Sequence, residues 1–569
     1  MSAIERMVHW MGDGTPLVGD YHAPSCRPRR VLLLLRSDMP RSGYKVLGEF
    51  LSSRGYGLLV QSVRGRHGSG GLFMPYRNEG EDGAAVVSQL ASSRVFKGHR
   101  IVLVGEGYAG QAALAAAVRC PPGLLAGVAV ADVSDNLFTD GLCTNGVLTG
   151  MALSQLLSWC RGGLSSIELD GYWRWLPGVS PLEAEPLMEF WALSLRDSQD
   201  SSGIWEQAGC LLAAAQLKAL AGVPMLLLSG YSLMTGGGAC RLASRLLAFC
   251  SMPLEFAMGA WKAPFWRPGV HGIADEFQEM DGGADALRRL FSWLDGLSSG
   301  KEASETSDEG RKVGYFMHDV PSVMHPGQDL CRCGQWFSGR AFLSGGANRR
   351  LFLHFGTLSE AAVSGVSATR SCYVSEPLRG VRVTRDAWKA GGACAGGGEA
   401  PFRRGDPLWG PEACVFYGPV LKEPLVLRAA MRLHLWCSIS RGDAVIGARL
   451  FAELPGDSRD GGGAACGGGR RRSVLLSRGI CRAGYRYGMG QLVSAVNGGP
   501  PVELTIPFFP AAWTLPAGCR LRLEVGDCES PLWIAPPRPD ARSPDLAGLP
   551  VQNTICIHHD CDHPSRLVY

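Results

Sequence analysis

Short apolar runs that alternate with amphipathic segments constrain the fold of this chain more than any other feature. The runs VLLLL (31–35) and YGLLVQSV (56–63) flank VLGEFLSSRG (46–55), which has helical spacing and ends on a glycine. EDGAAVVSQLASS (81–93) is helical in the same way and precedes the apolar run RIVLVG (100–105). Strands that alternate with helices predict a parallel sheet covered on both faces.

The next part of the chain predicts an insertion and the end of this sheet domain. After GVAVADV (127–133), residues 134–220 are rich in Trp and Leu, and we expect them to form a helical cap. DALRRLFSWLDGL (285–297) has the pattern of a final helix. The first domain therefore spans 1–300, and the polar segment 301–312 is expected to be a linker.

The pattern changes beyond the linker. Residues 313–569 contain short β-like runs such as LFLHFG, VIGARLFAEL, PVELTIPF and RLRLEV, which are separated by clusters of Gly and Pro. This pattern predicts an all-β sandwich. Two low-complexity insertions, GGACAGGGE (391–399) and DGGGAACGGGRRR (460–472), are expected to be mobile hairpin loops.

Composition excludes several classes of function. The 56 basic and 52 acidic residues leave a formal charge of only +4, which argues against a nucleic-acid partner. No apolar run approaches the roughly 20 residues that a membrane-spanning helix needs. The 19 Cys form no repeated framework, and the start MSAIERMVHW lacks the pattern of a signal peptide, so we expect a cytoplasmic location.

The most specific motif is VGEGYAG (104–110), which joins the run RIVLVG to the Ala-rich helical segment YAGQAALAAAV (108–118). Gly105, Tyr108 and Gly110 match the strand-to-helix turn Gly-x-Ser-Tyr-x-Gly of the cocaine-esterase and Xaa-Pro dipeptidyl-peptidase (CocE/NonD) family, which the chain resembles. The resemblance spans nearly the whole chain and includes MGDGTPLVGDYHAP, QSVRGRHGSGGLFMPYRNEGEDG, GICRAGYRYG and NTICIHHDCDHPSRLVY.

The resemblance implies an α/β-hydrolase domain with a helical cap, followed by a jelly-roll β-sandwich of galactose-binding-like type. Members of the family are esterases or dipeptidyl-peptidases that work by serine acylation. Here the position of the nucleophile is Gly107, that of the acid in SGYSLMTGG is Leu233, and that of the base in FAMGAWKAP is Ala263. None of these side chains can perform its role in the triad.

Other residues could assist or replace this chemistry. By resemblance, the oxyanion donors would be the N–H of Tyr108 and a group at Met39, with Tyr44 as an alternative to Met39. Glu106 is expected to support the helix start, and His271 is expected to lie on a surface loop.

The C-terminal run HHDCDH (558–563) contains six potential metal ligands. Side chains alternate faces along a strand, so they cannot all converge on one ion, and a structural role is the favoured interpretation. We therefore predict no metal site. No nucleotide-binding motif is present in the sequence, and we predict no cofactor.

Three hypotheses about function remain open. The first is a non-catalytic binding or scaffold homologue that uses the family's apolar pocket, with a small acyl or peptide ligand, or its outer surface for binding. The second is an active esterase or dipeptidyl-peptidase with a relocated catalytic set. The third is carbohydrate binding by the β-sandwich, which rests on analogy with jelly rolls alone. The sequence leaves the oligomeric state open.

Overall fold

The computed structural model describes much of the chain in two compact units. The described residues are 4–152, 155, 159, 212–231, 234–249, 253–261, 283–299, 311–320, 333–343, 349–364, 369–375, 381–382, 413–429, 431–441, 443–455, 473–488, 493, 498–527, 529–530, 533 and 552–569. The first unit comprises Met1–Leu137, Ser202–Tyr315 and Ser338–Arg340, and the second comprises Phe138–Ser201, Phe316–Phe337 and Ala341–Tyr569.

The described strands follow one another along the chain as β1 (Ile4–Trp10), β2 (Pro16–His22), β3 (Val31–Ser37), β4 (Gly57–Ser62), β5 (Arg100–Glu106), β6 (Leu125–Ala131), β7 (Cys143–Thr144), β8 (Val147–Leu148), β9 (Met225–Gly230), β10 (Leu254–Gly259), β11 (Arg311–Asp319), β12 (Gly334–Ser338), β13 (Arg350–His354), β14 (Thr357–Ser359), β15 (Arg370–Ser375), β16 (Val381–Arg382), β17 (Ala413–Val420), β18 (Leu425–Ala429), β19 (Arg432–Ile439), β20 (Val445–Glu453), β21 (Ser473–Arg482), β22 (Val502–Pro507), β23 (Ala511–Leu515), β24 (Arg520–Gly526), β25 (Glu529–Ser530), β26 (Asn553–His558) and β27 (Arg566–Val568).

The described helices are α1 (Lys45–Ser52), α2 (Glu79–Ser92), α3 (Tyr108–Ala117), α4 (Ala214–Lys218), α5 (Gly236–Phe249) and α6 (Gly283–Ser298). Short 3-10 turns cover Arg41–Tyr44, Arg340–Phe342 and Ala483–Tyr485. Within the described residues, no helix is both long enough and apolar enough to span a lipid bilayer.

The first unit contains the predicted parallel sheet. Its strands follow the order β1-β2-β4-β3-β5-β6-β9-β10, and residues 311–315 of β11 complete it beside β10. Pairing is parallel from β4 to β11, and the hairpin β1–β2 joins the sheet antiparallel to β4. Every residue of β3, β4 and β9 is buried, as expected for strands covered on both faces.

The register of this sheet brings several strand ends to one edge. Glu106 lies beside Ala131, and Ala131 lies beside Leu228, while Gly230 lies beside Gly259. The turns after β5, β6, β9 and β10 therefore leave the sheet next to one another. Ligands of open α/β sheets bind in the crevice outside such carboxyl ends.

An ion-pair network fixes the start of α2 on this sheet. Arg64 donates two hydrogen bonds to the carboxylate of Asp82, at 2.7 and 2.8 Å, and a third to Asp13 on the hairpin. Arg36, which is buried, lies 3.6 Å from the same carboxylate of Asp82. Arg64, Asp82 and Asp13 belong to the two N-terminal segments that carry the family resemblance, and their role here is structural.

The second unit is β-rich. Its larger sheet has the order β15-β26-β19-β27-β13-β14-β17-β24-β20-β21, with β22 paired to β19, and β18 pairs with β23. Along β19 buried and partly exposed residues alternate, so that Leu433, Leu435 and Cys437 face the apolar core. A disulfide bond joins Cys372 to Cys556 across the paired strands β15 and β26.

Several expectations about boundaries lie largely or wholly outside the described residues. These are most of the cap (134–220), most of the linker (301–312) and both Gly-rich insertions (391–399 and 460–472). The domain limits 1–300 and 313–569 and the jelly-roll topology therefore remain predictions.

Candidate active site

The turn between β5 and α3 has the strained geometry of a nucleophile elbow. Gly107 has φ 55° and ψ −120°, a conformation that residues with a side chain rarely adopt. Its N–H donates to the carbonyl of Ala131 at 3.0 Å, and its own carbonyl accepts from the N–H of Gln111 at 2.9 Å. The turn is thus held between the neighbouring strand and the first turn of the helix.

The two flanking glycines are required by packing. A Cβ at Gly105 would overlap the backbone of Ala109 and would lie 2.5 Å from the nitrogen of Gly110. A Cβ at Gly110 would lie 2.6 Å from Cγ1 of Val133. Both distances are shorter than real Cβ contacts, so these positions exclude any other residue without a local shift.

Gly107 differs from both neighbours. A Cβ built on it would have one described neighbour within 4 Å, the Oδ2 atom of Asp132, at 4.0 Å. The described surroundings therefore leave space for a side chain at this position. What the position lacks is a nucleophilic atom.

Asp132 is a site residue that the sequence reasoning did not identify. It follows β6 directly and has a positive φ of 52°. Its N–H donates to the carbonyl of Leu228, and Oδ1 accepts a hydrogen bond from the hydroxyl of Thr235. Burial raises the pKa of Asp132, and the Thr235 bond opposes this shift. A carboxylate directly after a parallel strand was the available sequence signal.

Tyr108 contributes two groups to the elbow region. Its backbone N–H stands at the first position of α3, from which the family's oxyanion donor comes. Its hydroxyl donates to Oε1 of the buried Glu79 and accepts from the N–H of Tyr76 at 3.4 Å. The side chain of Tyr108 is therefore anchored on α2, and burial raises its pKa.

Burial also raises the pKa of Glu79, to about 7, against the opposing effects of the Tyr108 hydroxyl and of Arg36. Glu79 is the first residue of α2 and is 3% exposed. Glu79 is the second titratable group near the elbow that the sequence reasoning did not identify. Its only unusual feature is its burial, which raises its pKa.

The other expected oxyanion positions lie just after β3. Met39 is 40% exposed, its N–H donates to Oγ of Ser37 at 3.0 Å, and its thioether cannot donate a hydrogen bond. The hydroxyl of Tyr44 lies 2.8 Å from the same Ser37 oxygen, within the protein interior. The assignment of an oxyanion donor at Met39 or Tyr44 remains a prediction.

Leu233, Ala263 and His271 lie outside the described residues, so their places in the triad remain predictions. The strand ends that precede the first two are described: β9 ends at Gly230 and β10 at Gly259, side by side. Both segments leave the edge of the sheet where the elbow lies.

In the part of the chain that the structure describes, no group of potential metal ligands lies at the elbow. Among the described residues, the group of three His, Cys, Asp or Glu side chains close enough to share an ion is His558, Asp560 and His563, in the second unit.

The parallel sheet and the strained turn between β5 and α3 define the first unit as an α/β-hydrolase domain. The X-Pro dipeptidyl-peptidase (S15) family matches residues 20–232, and the C-terminal non-catalytic domain of X-Pro dipeptidyl-peptidases matches residues 408–568. The chain belongs to this family. None of the curated proteins matches it.

Solved structures share the fold along the full length. An aminopeptidase from a marine sediment Thaumarchaeota archaeon has 18% identity and a TM-score of 0.75, over 99% of this chain and 96% of its own. An α-amino acid ester hydrolase has 16% identity and a TM-score of 0.73, over 100% and 96%. A CocE/NonD family hydrolase from Staphylococcus aureus has 15% identity and a TM-score of 0.64, over 99% and 93%.

These findings confirm the predicted family and the predicted architecture of an α/β domain with a β-rich C-terminal domain.

Proposed function

We propose that this chain is a non-catalytic member of its hydrolase family, which binds a small acyl or peptide ligand without forming an acyl-enzyme. The observation that carries the proposal is Gly107, which occupies the strained turn of the elbow and has no side-chain atom to attack a carbonyl. Removal of a triad nucleophile typically reduces turnover on the order of a millionfold.

The described groups at the carboxyl ends of the strands suit a polar ligand. The Asp132 carboxyl would accept a hydrogen bond from an amide or ammonium group, and the N–H of Tyr108 would donate to a carbonyl oxygen. An acyl or peptide ligand carries both kinds of group. Its binding would use the family's pocket without the covalent step.

The alternative is an active hydrolase with a relocated catalytic set, and Asp132 is the observation that favours it. A carboxyl group with a raised pKa beside the elbow could act as a general base toward water. In that case hydrolysis would proceed without a serine adduct. The wild-type protein would then cleave esters, and the Asp132→Asn variant would not.

A fluorophosphonate probe shows whether the protein has a reactive serine that forms a covalent adduct. We expect no labelled serine in the wild-type protein and no saturable ester hydrolysis. Gly107→Ser combined with Leu233→Asp and Ala263→His should restore labelling at residue 107. The matched control is Gly107→Ala in the same background, which adds a side chain without the hydroxyl.

A wild-type serine that reacts with the probe would overturn the proposal. Ester turnover that is lost in Asp132→Asn would replace it with the alternative. A folded triple variant that stays unlabelled would show that Leu233 and Ala263 are not the acid and base positions.

We also propose a cytoplasmic location. It is supported by the free thiols among the described cysteines, several of which are buried, whereas secreted domains usually pair theirs. The Cys372–Cys556 bond is the feature that a reducing compartment would oppose. Alkylation of thiols in intact cells followed by mass spectrometry would show whether this pair is reduced.

A further inference from the structure

We propose that His558, Asp560 and His563 form a binding site for a divalent transition-metal ion, with Zn²⁺ as the best-fitting class. The nearest ligand atoms of the three side chains all lie within 4.8 Å of one another. Two imidazole nitrogens and one carboxylate oxygen are ligands that Zn²⁺ binds in proteins.

The end of β26 explains how the three side chains meet. The strand ends at His558, and residues 559–565 form the connection to β27. The alternation of faces that argued against a shared ion therefore stops at His558. Beyond it, the chain turns and brings Asp560 and His563 back toward that residue.

The distances between donors are close to those of a bound ion. Nδ1 of His563 lies 2.9 Å from Oδ1 of Asp560, and Nδ1 of His558 lies 3.9 Å from Oδ2. Donors that bind zinc at about 2.0–2.2 Å in a tetrahedron lie roughly 3.3–3.5 Å apart. The first distance is that of a hydrogen bond and is shorter than this spacing, and the second is longer, so a bound ion would replace the His563–Asp560 hydrogen bond.

His558 is held in the orientation that a metal ligand requires. Its Nε2 atom is 2.7 Å from Oγ of Ser438 on the neighbouring strand β19, which fixes the ring and leaves Nδ1 directed toward Asp560. Metal-binding imidazoles almost always use their second nitrogen in such a bond. The carbonyl of His558 also accepts from the hydroxyl of Ser565 at 2.8 Å.

Each oxygen of Asp560 faces one imidazole nitrogen, and Oδ1 also stabilises the turn. Oδ1 accepts from the N–H groups of Asp562 and His563, at 3.0 and 2.8 Å, and so stabilises the turn. Oδ2 is the oxygen that faces His558. The side chains of the three ligands are 14, 13 and 29% exposed, which allows water to complete the coordination.

The test is isothermal titration of ZnCl₂ into the full-length protein after alkylation of accessible thiols, since the chain has 19 Cys. We expect one saturable site, and we expect its loss in His558→Ala and in His563→Ala. His434→Ala is the matched control, because His434 is a partly exposed histidine of the same sheet whose ring is 3.5 Å from Glu503. This control should bind one equivalent as the wild type does.

A wild-type protein without a saturable site, or His563→Ala binding as the wild type does, would overturn the proposal. Titration of the wild-type protein with Co²⁺ tests the proposed site without a variant that could misfold. A visible spectrum of a nitrogen- and oxygen-bound ion that one equivalent of Zn²⁺ removes would support the site. An intense thiolate charge-transfer band, or no visible spectrum, would contradict it.

Discussion

The three glycines of the elbow meet different physical requirements. Gly105 and Gly110 allow backbone segments to approach more closely than any Cβ would permit. The described residues around Gly107 leave room for a Cβ, but its φ lies in the left-handed region. Glycine is therefore required by packing at positions 105 and 110. At position 107 it leaves the elbow without a nucleophilic side chain.

This difference predicts unequal costs of substitution. Gly105→Ala should lower the free energy of unfolding by about 3 kcal/mol or more, because its Cβ overlaps the backbone of Ala109. Gly107→Ala should cost about 1 kcal/mol, since only the positive φ opposes it. Urea denaturation of the two variants checks this order. Equal costs would mean that the close packing at Gly105 relaxes freely.

Glu79 is a second residue whose environment determines its behaviour. Its pKa is about 7 in the folded protein, above the ordinary value of 4.5, and burial is the largest cause. Between these two pH values the folded state binds more protons than the unfolded state. The contribution of Glu79 to stability therefore falls as pH rises through this window.

Replacement of Glu79 by Gln should remove that pH dependence. Relative to the wild type, Glu79→Gln should gain on the order of 3 kcal/mol in unfolding free energy between pH 5 and pH 8. Chemical denaturation at several pH values measures the difference. Glu81→Gln, an exposed change in the same helix, should show no such trend. Parallel curves for Glu79→Gln and the wild type would refute the argument.

At the scale of elements, strands β20 and β24 are joined by buried charges as well as by backbone pairing. Arg522 contacts Glu453 at 2.8 Å and Glu524 at 3.1 Å, and the side chain of Arg522 is only 2% exposed. Arg449 and Arg520 complete this network of alternating charges. Such a cluster is stable only when every charge keeps its partner.

Loss of one carboxylate from this network should therefore be costly. Glu453→Gln leaves the buried Arg522 and its neighbour Arg520 with one carboxylate fewer, and we expect a loss of about 3–5 kcal/mol in unfolding free energy. Arg6→Gln removes the exposed pair with Asp20 and should cost less than about 1 kcal/mol. Thermal unfolding of both variants provides the comparison. Similar losses would show that burial does not set the strength of these pairs.

The elements themselves follow closely from local sequence. The segment 46–55 predicts the helix found at Lys45–Ser52, and 100–105 predicts the strand found at Arg100–Glu106. Their apolar spacing, with Gly55 after the helix, is a local property. The positive φ of Asp132 is different, because it depends on how the end of β6 packs beside β9 and the elbow.

At the scale of the whole molecule, the family and the two-part architecture were predictable because their signals are spread along most of the chain. The matches at 20–232 and 408–568 cover most of the segments that carry the resemblance, whereas FAMGAWKAP (256–264) lies outside both. The strand order β15-β26-β19-β27-β13 was not predictable from the sequence, since those strands come from distant parts of the chain. Periodicity specifies which residues face a core, but not which strand lies beside which.

The sequence by itself determined the identity of the atoms available at residue 107, because a glycine has no side chain in any fold. It also determined the alternation of strands and helices, which is set by spacing along the chain. Only the tertiary structure decided that Asp132 lies beside Gly107, that Glu79 is desolvated by its surroundings, and that the turn after β26 brings His563 back to His558. These three properties arise from contacts made on folding, and no local pattern encodes them.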